Sequence, residues 1–170
     1  MKSIQSNSIN LGVRPQPMIR PFKKEDIDFL IEIFMLNTPQ YFDPSEVNDF
    51  TDYLQQHSDT YSTILQDDQI VGGTGYYVKE TDRSGRITWI FFHPEVAGTG
   101  LGRQAVEHCL RILKQEPGVE KLVVTTSQLA YRFFEKFGYK TIKTEKDFWG
   151  PGLDLYEMEM PNDEYNHTIE

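Results

Sequence analysis

The stretch that most restricts how this chain can fold is residues 87–113. It opens on an apolar run, Ile87-Thr88-Trp89-Ile90-Phe91-Phe92, that reads as a strand. His93-Pro94-Glu95-Val96-Ala97 turns the chain, and Gly98-Thr99-Gly100-Leu101-Gly102 follows as a glycine-rich loop. Arg103-Gln104-Ala105-Val106 begins a helix whose apolar stripe is Ala105, Val106, Cys109, Leu110, Ile112 and Leu113. Glu116-Pro117-Gly118 stops it, and Leu122-Val123-Val124 has the look of a short buried strand. A strand–helix–strand run of this length is a crossover, so the two strands should be parallel. The glycine loop leaves backbone N–H groups unpaired beside the positive end of a helix dipole, which is the physical basis of an anion site.

The rest of the chain builds a sheet around this unit. Met18-Ile19-Arg20 is a short strand, and Ile27, Leu30, Ile31, Phe34 and Met35 mark one face of a helix. Asn37-Thr38-Pro39-Gln40 breaks that helix. Asp43-Pro44-Ser45-Glu46 announces a second one as a cap, with Pro at the first helical position and Glu three after the cap. Val47, Phe50 and Leu54 are its face. Residues 61–66 and 70–78 are strands around a tight turn at Asp67-Asp68. Gly72, Gly73 and Gly75 within the second imply bulges or close backbone approach. Residues 81–85 turn the chain into the strand that ends at Phe92. After the crossover, Ala130, Phe133, Phe134 and Phe137 mark a last helix ended by Gly138. Residues 139–144 and 153–160 close the sheet around an aromatic turn, Asp147-Phe148-Trp149-Gly150-Pro151-Gly152. This order predicts an α+β domain over residues 17–160, with helices on the sheet faces. Residues 1–16, polar and aperiodic, read as a flexible arm, and 161–170 as an acidic tail.

Composition narrows the partners. A net charge of −9 argues against holding a nucleic-acid backbone. Six of the acids, with no Lys or Arg, lie in residues 154–170, which reads as a solvated acidic end. A chain with one cysteine, Cys109, has no internal disulfide or cysteine cluster, and Cys109 falls on an apolar helix face as core filler. The four histidines show no metal-ligand spacing, so no metal is expected. No run approaches the ~18 apolar residues of a membrane span, and the location expected by default is cytoplasmic.

Three phosphate-binding patterns compete for the glycine loop. A Walker loop needs Gly, four residues, then Gly-Lys-Ser/Thr, and no such string occurs. A dinucleotide fingerprint counted from Gly98 ends at Arg103 rather than Gly, and the next strand ends in Thr125-Thr126-Ser127 without the ribose-binding acid. The third pattern fits. The stretch resembles the acetyl-CoA signature of the GCN5-related N-acetyltransferase (GNAT) superfamily, Arg/Gln-x-x-Gly-x-Gly/Ala after a Pro-containing turn. Gly100 and Gly102 match its glycines, Gly98 is an extra glycine, and Phe92-His93-Pro94 matches the turn. The string from Ala130 to Tyr139 resembles the family's following helix with its terminal Gly-aromatic.

The resemblance implies a mixed sheet, with an antiparallel N-terminal meander and a parallel strand pair splayed around the cofactor. It implies an N-acetyltransferase that moves an acetyl group from acetyl-CoA directly to a primary amine of a small molecule or peptide. A non-catalytic acyl-CoA-binding sensor is the alternative, and a homodimer is compatible with either. By the same resemblance the backbone at Ala97, Gly98, Thr99, Gly100, Leu101, Gly102 and Arg103 would cradle the pyrophosphate. Phe91 and Phe92 would present the strand edge to the pantetheine arm, and Ser127 and Phe134 would line the cofactor. Three positions depart from the family pattern. Ala97 replaces the usual Arg or Gln, Ser127 an Asn, and Phe134 the tyrosine that often protonates the departing thiolate. Phenylalanine has no proton to give, so Tyr131 and Tyr156 are the candidates for that role. Glu80, His93, Asp147 and Asp154 are the candidates for the base. The resemblance also implies that the acceptor site is bordered by the region of Phe148-Trp149-Gly150-Pro151-Gly152 and by the loop from Asn37 to Asp43.

Overall fold

Residues 16–165 are described by a computed structural model of the protein. The order of elements is β1 (Met18–Pro21), α1 (Ile27–Leu36), α2 (Glu46–Gln56), β2 (Tyr61–Gln66), β3 (Gln69–Lys79), β4 (Ser84–Phe92), α3 (Leu101–Leu113), β5 (Lys121–Thr126), α4 (Tyr131–Glu135), β6 (Lys140–Gly150) and β7 (Leu153–Pro161). The strands form one sheet in the order β1-β2-β3-β4-β5-β7-β6. Every neighbouring pair is antiparallel except β4 and β5, the two ends of the crossover. The α+β mixed sheet expected from the sequence is therefore the fold.

Local chemistry explains most element boundaries. Asp67 and Asp68 both take positive φ, 51° and 62°. That is the backbone a two-residue hairpin of the right twist requires, and Asp tolerates it better than branched residues do. Asp43 prepares the start of α2. Its carboxylate accepts from the Ser45 N–H (3.0 Å), while its own N–H donates to Glu46 Oε2 (2.8 Å). These two bonds hold Asp43-Pro44-Ser45 as a turn before the helix, so α2 begins at Glu46 rather than at Pro44.

Two hydrophobic layers flank the sheet. On one face α3 sets Val106, Cys109, Leu110 and Leu113 against Ile87, Leu122, Val124 and Met158. Burial pushes the Cys109 thiol up to about 11, which makes it the inert core residue expected. On the other face α1 and α2 set Leu30, Ile33, Phe34, Phe50 and Leu54 against Tyr61 and Phe91. Arg20 and Asp26 anchor the start of α1 to the sheet. The guanidinium donates twice to the carboxylate, at 2.7 and 2.8 Å. The Lys23 N–H (2.9 Å) and Thr63 hydroxyl (2.8 Å) complete the set.

The C-terminal third differs from the sequence expectation in three places. Residues 147–150 belong to β6 and are not part of a turn. Asp147 sits at φ 54° in a register irregularity of the strand. Its N–H donates to Asp154 Oδ1 (2.9 Å), and its Oδ1 accepts from the Gly152 N–H (2.7 Å). This side-chain bracket absorbs the extra residues as a bulge and leaves only Pro151-Gly152 to turn. The last helix is short, covering Tyr131–Glu135. The packed chain also runs past Met160. Asn162 is buried, and its amide donates to the carbonyls of Lys114 (3.2 Å) and Val119 (2.8 Å). Of the expected arm and tail, residues 1–15 and 166–170 lie outside the described residues.

Candidate active site

The parallel pair β4–β5 does not stay paired. Its register runs Ser84↔Lys121, Gly85↔Leu122 and Arg86↔Val123, and there it ends, although β4 continues to Phe92 and β5 to Thr126. Right-handed twist rotates neighbouring strands relative to one another, and here the two strands part. A cavity of about 920 Å³ occupies the split, with residues 87–92 on one side and 124–127 on the other. Along this stretch the β5-facing edge of β4 has no ladder partner, so its backbone groups are available to a guest.

The glycine loop forms one wall. Gly98 and Gly100 lie at φ 76° and 84°, and Gly100 is the cap from which α3 starts. A Cβ at either would meet nothing within 4 Å, so the requirement for glycine is the left-handed backbone rather than crowding within the protein. Gly102 differs. It is helical, and a Cβ there would press on the Phe133 ring at 3.2 Å. The N–H groups of Leu101, Gly102 and Arg103 open α3 with no partner one turn back, and all three residues line the cavity. Arg103 donates to Glu107 at 2.8 Å, and Lys136 adds a second cation to this wall.

On the opposite wall, Trp89 takes a conformation that no local sequence signal announces. Trp89 has φ 48° in the middle of β4. The pairing jumps from Gly75↔Thr88 to Gly73↔Phe91, so Trp89 and Ile90 together face Thr74. The bulge turns the Trp89 carbonyl to the Tyr61 hydroxyl, which donates at 2.9 Å. It also inverts the strand. Ile87 packs in the α3 layer while Phe91, four residues on, packs in the α1–α2 layer. A regular strand would point both to one face. Trp89, Leu36, Asn37, Tyr41, Phe42 and Glu46 line the cavity here, with Trp149 from β6. Asn37 fixes the α1 end to β4, its amide donating to the Phe92 carbonyl (2.9 Å) and the Ile33 carbonyl (2.9 Å). The Trp149 indole donates to the Thr126 carbonyl (3.0 Å), which fixes β6 to β5.

The cofactor-side residues named from sequence gather on this cavity. Phe91, Phe92, the loop 97–103, Ser127 and Phe134 all line it. The tyrosines do not. Tyr131 and Tyr156 stack on one another at 4.5 Å and 22°, the Tyr131 hydroxyl accepts from Arg132 (3.1 Å), and neither residue is in the lining. Among the base candidates only His93 reaches the cavity. Its Nδ1 is occupied as a turn cap for the Glu95 N–H (3.1 Å). Asp147 and Asp154 close the β6–β7 hairpin, and Glu80 sits in the turn between β3 and β4. The acid that does line the aromatic wall is Glu46. Its place in the N-terminal turn of α2 masked it, because a capping glutamate is a sufficient local explanation of the residue. Among the described residues no group of three or more His, Cys, Asp or Glu could hold a metal ion.

A mixed sheet split between two parallel strands, with a glycine loop heading a helix at the split, defines the class of N-acetyltransferases. The chain belongs to the acetyltransferase (GNAT) family, whose model matches residues 27–139. It is an acyltransferase of that N-acetyltransferase type. It is 23% identical over 163 residues to an N-alpha-acetyltransferase of Saccharolobus solfataricus, covering 84% of this chain and 92% of the relative. Among solved structures it is similar in fold to Ard1 from Thermoplasma volcanium, with a TM-score of 0.71 at 15% identity over 85% of this chain and 97% of that one. It is likewise similar to the spermidine/spermine N-acetyltransferase SpeG from Vibrio cholerae, with a TM-score of 0.66 at 15% identity over 91% and 98%.

Proposed function

We propose that the enzyme takes acetyl-CoA as donor and transfers its acetyl group directly to a primary amine. The observation that carries this reading is the coincidence, on one cavity, of the unpaired β4 edge and the amide-rich start of α3. Acetyl-CoA, when bound, supplies the acetyl group as an activated thioester. The amides of residues 98–103 and the α3 dipole hold its diphosphate, with Arg103 and Lys136 as nearby cations. Ala97 adds no side chain to this cradle, so the backbone does most of the holding. The free edge of β4 near Phe91 and Phe92 aligns the pantetheine arm, and a backbone N–H there stabilises charge developing on the carbonyl oxygen.

The amine must shed a proton before it attacks, because an ammonium has no lone pair. The departing thiolate needs less help. A thiol pKa of roughly 8.5 makes it a fair leaving group near neutrality. Phe134, buried in the lining where a tyrosine would donate, is therefore compatible with turnover. Two measurements test the reading. Acetyl-CoA at ~100 times its Kd should stabilise the protein by about 2.7 kcal/mol, and amines should release free thiol from it. No shift in melting temperature at millimolar acetyl-CoA would sink the proposal.

A further inference from the structure

The cavity has two chemical poles. One is the glycine loop with its amides and cations, suited to a diphosphate. The other is aromatic and carries an acid: Tyr41, Phe42, Trp89 and Trp149 share the lining with Glu46, Phe42 stacks on Trp89, and Asp43 at the start of α2 abuts Gly150 beside Trp149. The Phe42 and Trp89 rings stack at 6.4 Å and 25°, and Phe34 and Phe50 back them from the core. Among the described residues two carboxylates line the cavity, and Glu107 is already paired with Arg103. Glu46 has no cationic partner among the described residues. Its Oε2 accepts one bond, from the Asp43 N–H, and Oε1 none. Burial raises its pKa against the lowering by the Asp43 N–H bond, and the charges of Asp43 and Asp49 add to the rise, so its anion gains from a cation brought to it.

This pole lies on the side where the family resemblance implies the acceptor, and we infer that it selects an amine bearing a single positive charge next to a hydrophobic, preferably aromatic, body, with Glu46 as the residue that receives the ammonium. The inference rests on the acetyl-transfer reading and narrows its substrate class. A lone ammonium finds one carboxylate and several ring faces, a combination that favours a cation with apolar surroundings. A polyamine would bring further ammonium groups to a chamber in which the described residues offer no second unpaired acid, leaving those groups unpaired or in solvent. Arylalkylamines and peptide N-termini that begin with a hydrophobic residue share the selected chemistry.

Both tryptophans of the chain, Trp89 and Trp149, line the cavity, so intrinsic fluorescence reports the chamber without any need for turnover. The experiment titrates the full chain with 2-phenylethylamine, 2-phenylethanol, spermidine and a tripeptide amide beginning with phenylalanine. Wild type and Glu46→Gln are compared, each with and without acetyl-CoA. The glutamine keeps an acceptor for the Asp43 N–H, so α2 retains its start. The expected result is a Kd for 2-phenylethylamine at least tenfold below those for the alcohol and for spermidine. Glu46→Gln should raise the amine's Kd at least tenfold and leave the alcohol's unchanged. The tighter of 2-phenylethylamine and the tripeptide assigns the source of the amine. Equal binding of amine and alcohol, tighter binding of spermidine, an unaffected Glu46→Gln variant, or no emission change with any ligand would each overturn the inference. Melting temperature with acetyl-CoA, read on the same samples, separates a failed acceptor assignment from a failed donor assignment.

Discussion

Gly150 of β6 lies directly against Asp43. A Cβ on Gly150 would stand 2.5 Å from the Asp43 Oδ1 and 2.9 Å from its Cβ. Three bonds engage the same Asp43 at the start of α2, from the Ser45 N–H and hydroxyl to its carboxylate and from its own N–H to Glu46. The contact therefore seats the 36–46 segment on the β6–β7 hairpin, and with it the Glu46 wall of the cavity.

Gly150→Ala should displace that segment. The expected outcome is a rise of about tenfold in KM for the amine, with the acetyl-CoA-induced melting shift unchanged. Steady-state kinetics beside thermal melts would check it. An unchanged amine KM would show that the hairpin contact does not position the chamber.

Gly100→Glu should abolish acetyl-CoA binding, because the new carboxylate points into the space where the diphosphate is proposed to lie. Gly100→Ala separates charge from backbone strain. Gly100 and Gly118 have similar positive φ, 84° and 81°, with open space around both. Alanine at either should cost about 1–2 kcal/mol of stability. Isothermal titration should show binding lost only in the glutamate variant.

Asp26→Asn should destabilise the fold by about 2–3 kcal/mol. That is at or below the lower end of the usual cost of orphaning a buried charge, because the Arg20 side chain retains 21% exposure and keeps some solvent. Burial pushes the Asp26 carboxyl up, but the Arg20, Lys23 and Thr63 bonds outweigh burial and hold it below its ordinary value. A depressed folded pKa gives stability that is present above the unfolded pKa of roughly 3.9 and lost as pH falls through the folded value. Urea melts should therefore show the wild type losing its advantage over Asp26→Asn below about pH 4.

Tyr131→Phe and Phe134→Tyr together test where the thiolate finds its proton. Tyr131 stacks on Tyr156 outside the cavity lining, whereas Phe134 is in it. Tyr131→Phe should leave kcat within about twofold, a loss well below the ~100-fold typical of general-acid removal. Phe134→Tyr should raise kcat severalfold with the KM for acetyl-CoA unchanged. A collapse of kcat in Tyr131→Phe would return the acid to that tyrosine.

The cofactor half of the site was legible because it is local. The glycines, the turn and the helix start lie within a dozen residues, and their chemistry is that of consecutive backbone amides. The acceptor half was legible only in outline: the family resemblance points to the 37–43 loop and the β6–β7 region, but not to Trp89 or Glu46. Trp89 reads as one more apolar residue of a strand, and nothing local to 87–92 announces that it and Ile90 must share one partner across the sheet. Glu46 reads as a helix cap, and it does cap. Only the packing of α2 against the split sheet turns it towards the cavity. The string 147–150 reads as a turn in sequence because the bonds that keep it in β6 join Asp147 to Asp154 and Gly152 across the hairpin.

The sequence by itself determined the element order, the parallel crossover and the anion-binding loop. These follow from hydrophobic period, turn chemistry and backbone geometry over a few residues. The tertiary structure alone decided which way Trp89 faces, and that Glu46 lines a cavity it shares with Tyr41, Phe42, Trp89 and Trp149, with no cationic partner among the described residues. Those outcomes depend on register and packing between segments distant in the chain, where each residue's local preference is satisfied by more than one arrangement.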